Sequence, residues 1–274
     1  MTLQELIRIA IKEDMPHGDV TTESLALKPR QGRARLKAKE DIVLSGAAAF
    51  ELTMHAIEPN AKVKWHFEEG DEILKGQNIC TVEGDLVLIL KAERIALNFL
   101  GHLSGISTFT RRFVKAVAGT KTKILDTRKT TPGHRELEKK AVVHGGGQNH
   151  RLNLSTAILI KDNHISVMGG IAKAITRVRE HSNLPIEVEA STLQEVQEAI
   201  EMKASRILLD NMDNETMKKA QALIPAGIET EASGNMTVER VKSVAELGVN
   251  FISVGALTHS APCADVSLVF DWKD

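Results

Sequence analysis

The first apolar pattern in the chain is helical. Leu3, Leu6, Ile7, Ala10 and Ile11 recur at spacings of three and four, which gathers them on one face. Thr2 and Glu5 fit a capping box, so the helix is expected to start at Leu3. From Gln31 the period shortens to two. The run Arg33-Ala34-Arg35-Leu36-Lys37-Ala38-Lys39 alternates polar with small or apolar residues, as a half-buried strand does. Segments 63–67, 79–82 and 86–90 are further strand candidates, separated by Gly70, Gly76 and Gly84. This stretch predicts a small α+β domain.

Beyond Arg94 the texture changes. Ile95, Ala96, Phe99, Leu100 and Leu103 line one side of a long helix running towards Arg112, with a break expected near Gly105. Short apolar runs then alternate with helical patterns. The strand candidates are 124–127, 157–161, 186–189, 206–210, 228–231 and 251–254. Helices are expected at 193–202, with Thr192 as cap and Glu195 three residues on, and at 238–247, ending at Gly248. Repeated β-then-α units imply parallel pairing, in an α/β barrel or a doubly wound sheet. Six strands are fewer than the eight of a complete barrel, which points to an incomplete one.

Composition narrows the function classes. Hydrophobic residues make up 42% and charged residues 26% of 274, and the formal net charge is -1. That total leaves no basic footprint for nucleic acid and no polybasic membrane anchor. The most apolar segment, 86–90, is far too short to span a bilayer. Cys80 and Cys263 lack metal-ligand spacing and suit free thiols in a reducing compartment. The N-terminus has no signal-peptide pattern, so a cytoplasmic protein is expected.

The candidate chemistry lies at the strand ends. They lead into Asp126-Thr127-Arg128-Lys129, Lys161-Asp162-Asn163-His164, Glu187-Val188-Glu189, Asp210-Asn211, Glu231-Ala232-Ser233-Gly234-Asn235 and Ser253-Val254-Gly255-Ala256. In a parallel barrel such ends converge on one mouth, where catalytic groups gather. Ser233-Gly234-Asn235 precedes a helix and Gly255 follows the last strand, where small residues let backbone amides approach a phosphate. Tight turns would need the same glycines.

Arg94, Arg128, Lys129, His150, Arg151 and Lys161 form a basic set in a chain of nearly zero net charge, which suits a small polyanion. Glu189 and Asp210 could hold Mg2+ or face a developing cation. A lattice of ion pairs is the bland alternative. Lys161 could instead form a Schiff base, as barrel aldolases do. His144, His150 and His164 flank Gly145-Gly146-Gly147, but their spacing matches no zincin helix or finger.

Several segments, taken in order, resemble one family, the quinolinate phosphoribosyltransferases. They are Glu13-Asp14-Met15-Pro16-His17-Gly18-Asp19-Val20-Thr21-Thr22, Glu93-Arg94-Ile95-Ala96-Leu97-Asn98-Phe99-Leu100, and Asp126-Thr127-Arg128-Lys129-Thr130-Thr131-Pro132-Gly133. Gly145-Gly146-Gly147-Gln148-Asn149-His150-Arg151-Leu152, Lys161-Asp162-Asn163-His164, Leu209-Asp210-Asn211-Met212, Glu231-Ala232-Ser233-Gly234-Asn235 and Ser253-Val254-Gly255-Ala256-Leu257-Thr258-His259 continue the series. A related group linked to molybdenum transport shares the Thr-Arg-Lys core. It tends to lack the Glu-Arg pair and the Lys-Asp-Asn-His segment that stand here at 93–94 and 161–164.

The resemblance implies an N-terminal α+β open-faced sandwich, residues 1–105 joined by 262–274, and an incomplete parallel α/β barrel, 106–261, carrying the active site. The implied reaction joins quinolinate to phosphoribosyl pyrophosphate and releases CO2. Arg128, Lys129, His150, Arg151 and Lys161 would hold the quinolinate carboxylates, and Lys129, Glu189 and Asp210 would be catalytic. Glu189 and Asp210 would face the ribose and hold the Mg2+ that accompanies phosphoribosyl pyrophosphate, while Ser233, Gly234, Asn235 and Gly255 would take the 5'-phosphate. A homodimer is implied, Arg94 reaching into the neighbouring subunit's site, with further association into a hexamer left open. Lys140, His134 and Asn153 depart from the family's usual residues, and the chain has no tyrosine.

Overall fold

Alternation along the chain sets the first sheet. Strand β1 (Gln31–Ala38) buries Ala34, Leu36 and Ala38 and leaves Arg33, Arg35 and Lys37 on the other face. It pairs antiparallel with β5 (Asn78–Asp85) on one side and β12 (Val266–Asp271) on the other, and β5 pairs with β3 (Lys62–Trp65). The order is β12-β1-β5-β3, and β2 (Ile42–Val43) and β4 (Glu72–Ile73) form a separate two-stranded ladder. The computed structural model describes residues 1–272 and divides into two units. One comprises 1–111, 131–146 and 260–272, the other 112–130 and 147–259. The last two positions of the expected 262–274 segment lie outside the described residues.

The helices of the first unit build two apolar clusters, one under this sheet and one around Leu6 and Ile7. Helix α1 (Leu3–Asp14) begins at the expected capping box: Thr2 Oγ1 accepts from the Glu5 amide at 3.2 Å, and Glu5 Oε2 from the Thr2 amide at 2.7 Å. Helix α2 (Val20–Ser24) is capped by Asp19. Helix α3 (Ala47–Ile57) buries Phe50 and Met54 in the core under the sheet, where Phe50 meets the Trp65 ring edge-on at 5.6 Å.

Two sequence expectations are corrected in the next helix, α4 (Leu86–Ala116). The run 86–90, expected as a strand, is its first turn, because a five-residue apolar run fits either element. The Asp85 carboxylate accepts from the Val87 amide at 3.0 Å and starts the helix there. Nor does the helix break at Gly105. One glycine costs about 1 kcal/mol relative to alanine, too little to stop a helix buried along much of its length. Gly105 instead lets main chain approach: a Cβ there would overlap the Pro262 carbonyl and lie 3.1 Å from the Ala264 nitrogen. Segment 131–146, expected in the barrel, groups with the first unit and forms α5 (Arg135–His144). Its fully buried Glu138 stands 2.9 Å from His102 Nε2 and accepts from the Thr131 amide at 3.1 Å.

The second unit follows the expected β-then-α rhythm. Strands β6 (Lys123–Leu125), β7 (Ile158–Ile160), β8 (Ile186–Ala190), β9 (Arg206–Asp210), β10 (Glu229–Ser233) and β11 (Phe251–Ser253) form one parallel sheet of order β6-β11-β10-β9-β8-β7. Among the described residues β6 and β7 do not pair with each other; beyond β6 there is only the bridge Leu125↔Gln148. The barrel is therefore incomplete. Helices α6 (Asp162–Met168), α7 (Ile171–Arg179), α8 (Leu193–Glu201), α9 (Asn214–Leu223), α10 (Val238–Ala245) and α11 (Ala256–His259) follow the strands. Thr192 and Glu195 make the reciprocal box expected at the start of α8. No described helix is long and apolar enough to cross a membrane.

Candidate active site

The barrel strands carry two alternating faces. Ile186, Val188 and Ala190 on β8, Ile207 and Leu209 on β9, and Ala232 on β10 are buried and apolar. The intervening positions are Glu187 and Glu189, then Arg206, Leu208 and Asp210, then Glu229, Glu231 and Ser233. Register puts Glu189 and Glu231 both beside Leu208, and Glu187 beside Arg206. Because side chains alternate along a strand, these polar positions share one face. Several of them line a cavity of about 680 Å3 at the strand ends. Arg128, Lys129, His150, Arg151, Lys161, Glu189, Asp210, Ser233, Gly234, Asn235 and Gly255 are all on its wall. Arg94 is not; it is an exposed residue of α4 in the first unit.

One part of the wall is cationic and under-satisfied. The Arg128 Nε is buried and has no partner among the described residues. Burial, and secondly the charge of Arg128, push the Arg151 pKa down, so two guanidinium groups crowd each other. Arg151 Nη1 donates to the Ala157 carbonyl at 3.0 Å, which fixes its side chain. A donor left unpaired beside a second cation is the arrangement an anionic ligand completes. The Lys129 loop is pinned from α11, where Thr258 Oγ1 donates to the Lys129 carbonyl at 2.8 Å. Lys161 Nζ lies 2.8 Å from Glu189 Oε2, and its own amide donates to His164 Nδ1 at 2.9 Å. The Lys-Asp-Asn-His segment therefore forms the first turn of α6.

Another part of the wall holds carboxylates and turns. Asn211 Nδ2 donates to Asp210 Oδ2 at 2.6 Å, and the Asn211 amide donates to the Ser233 carbonyl at 3.0 Å. Asn211 and Asn235 adopt left-handed φ values of 54° and 49°. Gly234, at φ 93°, fits nothing larger: a Cβ would overlap the Asn211 carboxamide.

Sequence reasoning named His150, Glu187 and Glu231 separately but missed the buried charged group they form with Arg206, of which His150 and Glu231 also reach the cavity wall. His150 Nε2 stands 3.2 Å from Glu187 and 3.5 Å from Glu231, and Arg206 Nη1 bonds Glu231 at 3.2 Å. The Arg151 amide donates to His150 Nδ1 at 2.7 Å, so the ring's proton sits on Nε2, facing the two carboxylates. Burial opposes a charged His150 ring, but the Glu187 hydrogen bond and the Glu231 and Glu187 charges outweigh it and raise the pKa. Burial, followed by repulsion from Glu187, pushes Glu231 up to about 7. Arg206 also covers the Phe251 ring at 4.0 Å. The signal was available: glutamates at alternate positions of otherwise apolar strands, Ile186-Glu187-Val188-Glu189-Ala190 above all. The His144 of the weighed histidine group belongs to the first unit, bonded to Ser45 Oγ at 2.9 Å. His134 stacks beside Phe99 there, with ring centroids 6.3 Å apart.

Fold and site together define an incomplete α/β-barrel protein with a cation-rich cavity at the C-terminal ends of its strands. Two family profiles divide the chain between them: "Quinolinate phosphoribosyl transferase, N-terminal domain" matches residues 19–104, and the C-terminal domain of the same family matches 106–269. The chain belongs to the quinolinate phosphoribosyl transferase family. It is 39% identical to the "Quinolinate phosphoribosyltransferase [decarboxylating] 2, mitochondrial" of Nicotiana glauca, over 98% of this chain and 82% of that one. It is 42% identical to the "Probable nicotinate-nucleotide pyrophosphorylase [carboxylating]" of Synechocystis sp., over 94% and 89%. The crystal structure of nicotinate-nucleotide pyrophosphorylase from Ehrlichia chaffeensis superposes with a TM-score of 0.95 at 37% identity, covering 99% of each chain.

Proposed function

We propose that the chain transfers the phosphoribosyl group of phosphoribosyl pyrophosphate to quinolinate with decarboxylation, giving nicotinate mononucleotide, pyrophosphate and CO2 for NAD biosynthesis. The observation that carries the chemistry is the unpaired Arg128 Nε beside Arg151, in a cavity whose wall also holds Glu189 and Asp210. Cations in that number suit the two carboxylates of the pyridine acid. Arg128, Lys129, Arg151 and Lys161 hold them, His150 standing behind with its ring nitrogens engaged by Glu187, Glu231 and the Arg151 amide, and Ser233, Gly234, Asn235 and Gly255 take the 5'-phosphate.

The pyridine nitrogen attacks C1' as the bond to pyrophosphate breaks, and pyrophosphate leaves with that electron pair. Glu189 and Asp210 stabilise the oxocarbenium character that develops at C1', while Lys129 screens negative charge. The ring, now cationic, retains the electron pair when the 2-carboxylate departs as CO2, and a proton takes its place. The enzyme's share is positioning and charge compensation, with no covalent intermediate. Lys161, held in an ion pair with Glu189, suits this role better than a Schiff base.

Glu189 and Asp210 fit Mg2+, which takes one or two protein carboxylates together with substrate phosphate oxygens rather than a complete protein cage. Bound there, the ion would neutralise charge on the leaving pyrophosphate. The exposure of Arg94 supports a homodimer in which it reaches the neighbouring subunit's mouth. Cys80 and Cys263, neither of them in a disulfide, are in keeping with a cytoplasmic protein.

The test is turnover by the purified protein of quinolinate, phosphoribosyl pyrophosphate and Mg2+, with nicotinic acid replacing quinolinate in parallel. Nicotinate mononucleotide from quinolinate alone is expected, since nicotinic acid leaves part of the cationic wall unpaired. No product from folded protein, or equal use of nicotinic acid, refutes the proposal.

A further inference from the structure

A loop presents its amides to an anion only if its peptide planes are held. Each trans peptide directs its C=O and its N–H in opposite directions, and the described chain has no cis bond. The carbonyls of Ser233, Gly234 and Asn235 therefore fix where the amides of Gly234, Asn235 and Met236 point. The Ser233 carbonyl accepts from the Asn211 amide at 3.0 Å. The next two are held by a single side chain: Arg240 Nη1 donates to the Gly234 carbonyl at 3.0 Å and to the Asn235 carbonyl at 3.4 Å. Its Nη2 donates to the Met212 carbonyl at 2.7 Å, in the loop that follows Asp210.

Arg240 itself is absent from the cavity wall, whereas Gly234, Asn235 and Met236 line it. Among the described residues nothing accepts from the amides of Gly234 or Asn235. Asn211 and Asn235 also hold left-handed conformations, a region that residues other than glycine and asparagine rarely enter. Such turns persist only when their surroundings hold them.

We propose that Arg240 is a positioning residue of the anion site: its guanidinium holds the Gly234 and Asn235 carbonyls away from the mouth, aims the amides behind them into it, and braces this loop against the one carrying Asp210. The inference rests on the reading of this loop as the 5'-phosphate site. One planar fork serves three carbonyls from two loops, a task the single ammonium of lysine cannot perform.

Arg240→Ala and Arg240→Lys test it. Both are expected to raise KM for phosphoribosyl pyrophosphate about tenfold or more and to leave KM for quinolinate within about twofold. Ribose 5-phosphate, titrated calorimetrically, is expected to bind either variant more weakly by a similar factor. Guanidinium ion at millimolar concentration is expected to restore part of the loss in Arg240→Ala and none in Arg240→Lys, whose side chain fills the space. Should the alanine variant fail to fold, the lysine variant carries the comparison. Equal losses for both substrates, or unchanged affinity for ribose 5-phosphate, overturn the assignment. A wild-type protein that binds ribose 5-phosphate but makes no product from quinolinate would refute the reaction proposed above, while the titration still decides the role of Arg240.

Discussion

Replacing Gly105 by alanine sets two effects of opposite sign against each other. Helix propensity favours the change by about 1 kcal/mol, since glycine loses the most backbone freedom on folding. Packing opposes it. The new Cβ would overlap the Pro262 carbonyl oxygen and sit 3.0 Å from the Pro262 carbonyl carbon and 3.1 Å from the Ala264 nitrogen. All three are main-chain atoms, so no side chain can rotate away. Moving the segment also strains the 2.9 Å bond from the Ala264 amide to the Gly101 carbonyl, worth about 1 kcal/mol net. Overpacking costs about 1–3 kcal/mol, so the balance is a loss of about 2 kcal/mol, or about 4–8 °C in Tm. Both tryptophans, Trp65 and Trp272, lie in the first unit with Gly105, so a fluorescence-monitored melt reports on the right part of the chain. Gly101→Ala, which would meet only the Ala264 carbonyl at 3.0 Å, is expected to lose less. A Gly105→Ala protein as stable as the wild type or more so refutes the argument.

Three further outcomes are expected. Lys161→Met removes a charge-assisted bond to quinolinate worth about 1.5–3 kcal/mol, so kcat/KM for quinolinate should fall by roughly one to two orders of magnitude. Borohydride added with substrate should leave wild-type Lys161 unlabelled; a trapped adduct would restore the Schiff-base alternative. Glu231→Gln should alter the pH dependence of stability. The folded carboxyl binds its proton up to a pH of about 7, against 4.5 for the ordinary group, so its contribution is complete below 4.5 and is lost as pH rises through 7. Urea titrations across that window should show wild type losing stability relative to the variant as pH rises, and parallel curves would count against the buried-charge account.

Much of the fold was legible because it depends on local periodicity. The capping boxes at Thr2 and Thr192, the alternation in β1 and the six barrel strands need only neighbours a few residues away. The candidate cavity was legible for a related reason: in a parallel barrel, strand ends converge wherever the strands themselves are recognisable. The run 86–90 was not, since five apolar residues satisfy a strand and a buried helical turn equally, and Asp85 decided between them. Gly105 misled because its role lies in the approach of Pro262 and Ala264, more than 150 residues away. The His150–Glu187–Glu231–Arg206 group and the Arg240 brace depend on register between strands and on the direction of individual carbonyls. The sequence alone determined the first helix, the six barrel strands in their order and the residue types at the mouth, because those follow from local spacing and chemistry. Which charges face each other, and which peptide planes are held to receive an anion, only tertiary structure decided, because those energies arise between segments brought together by folding.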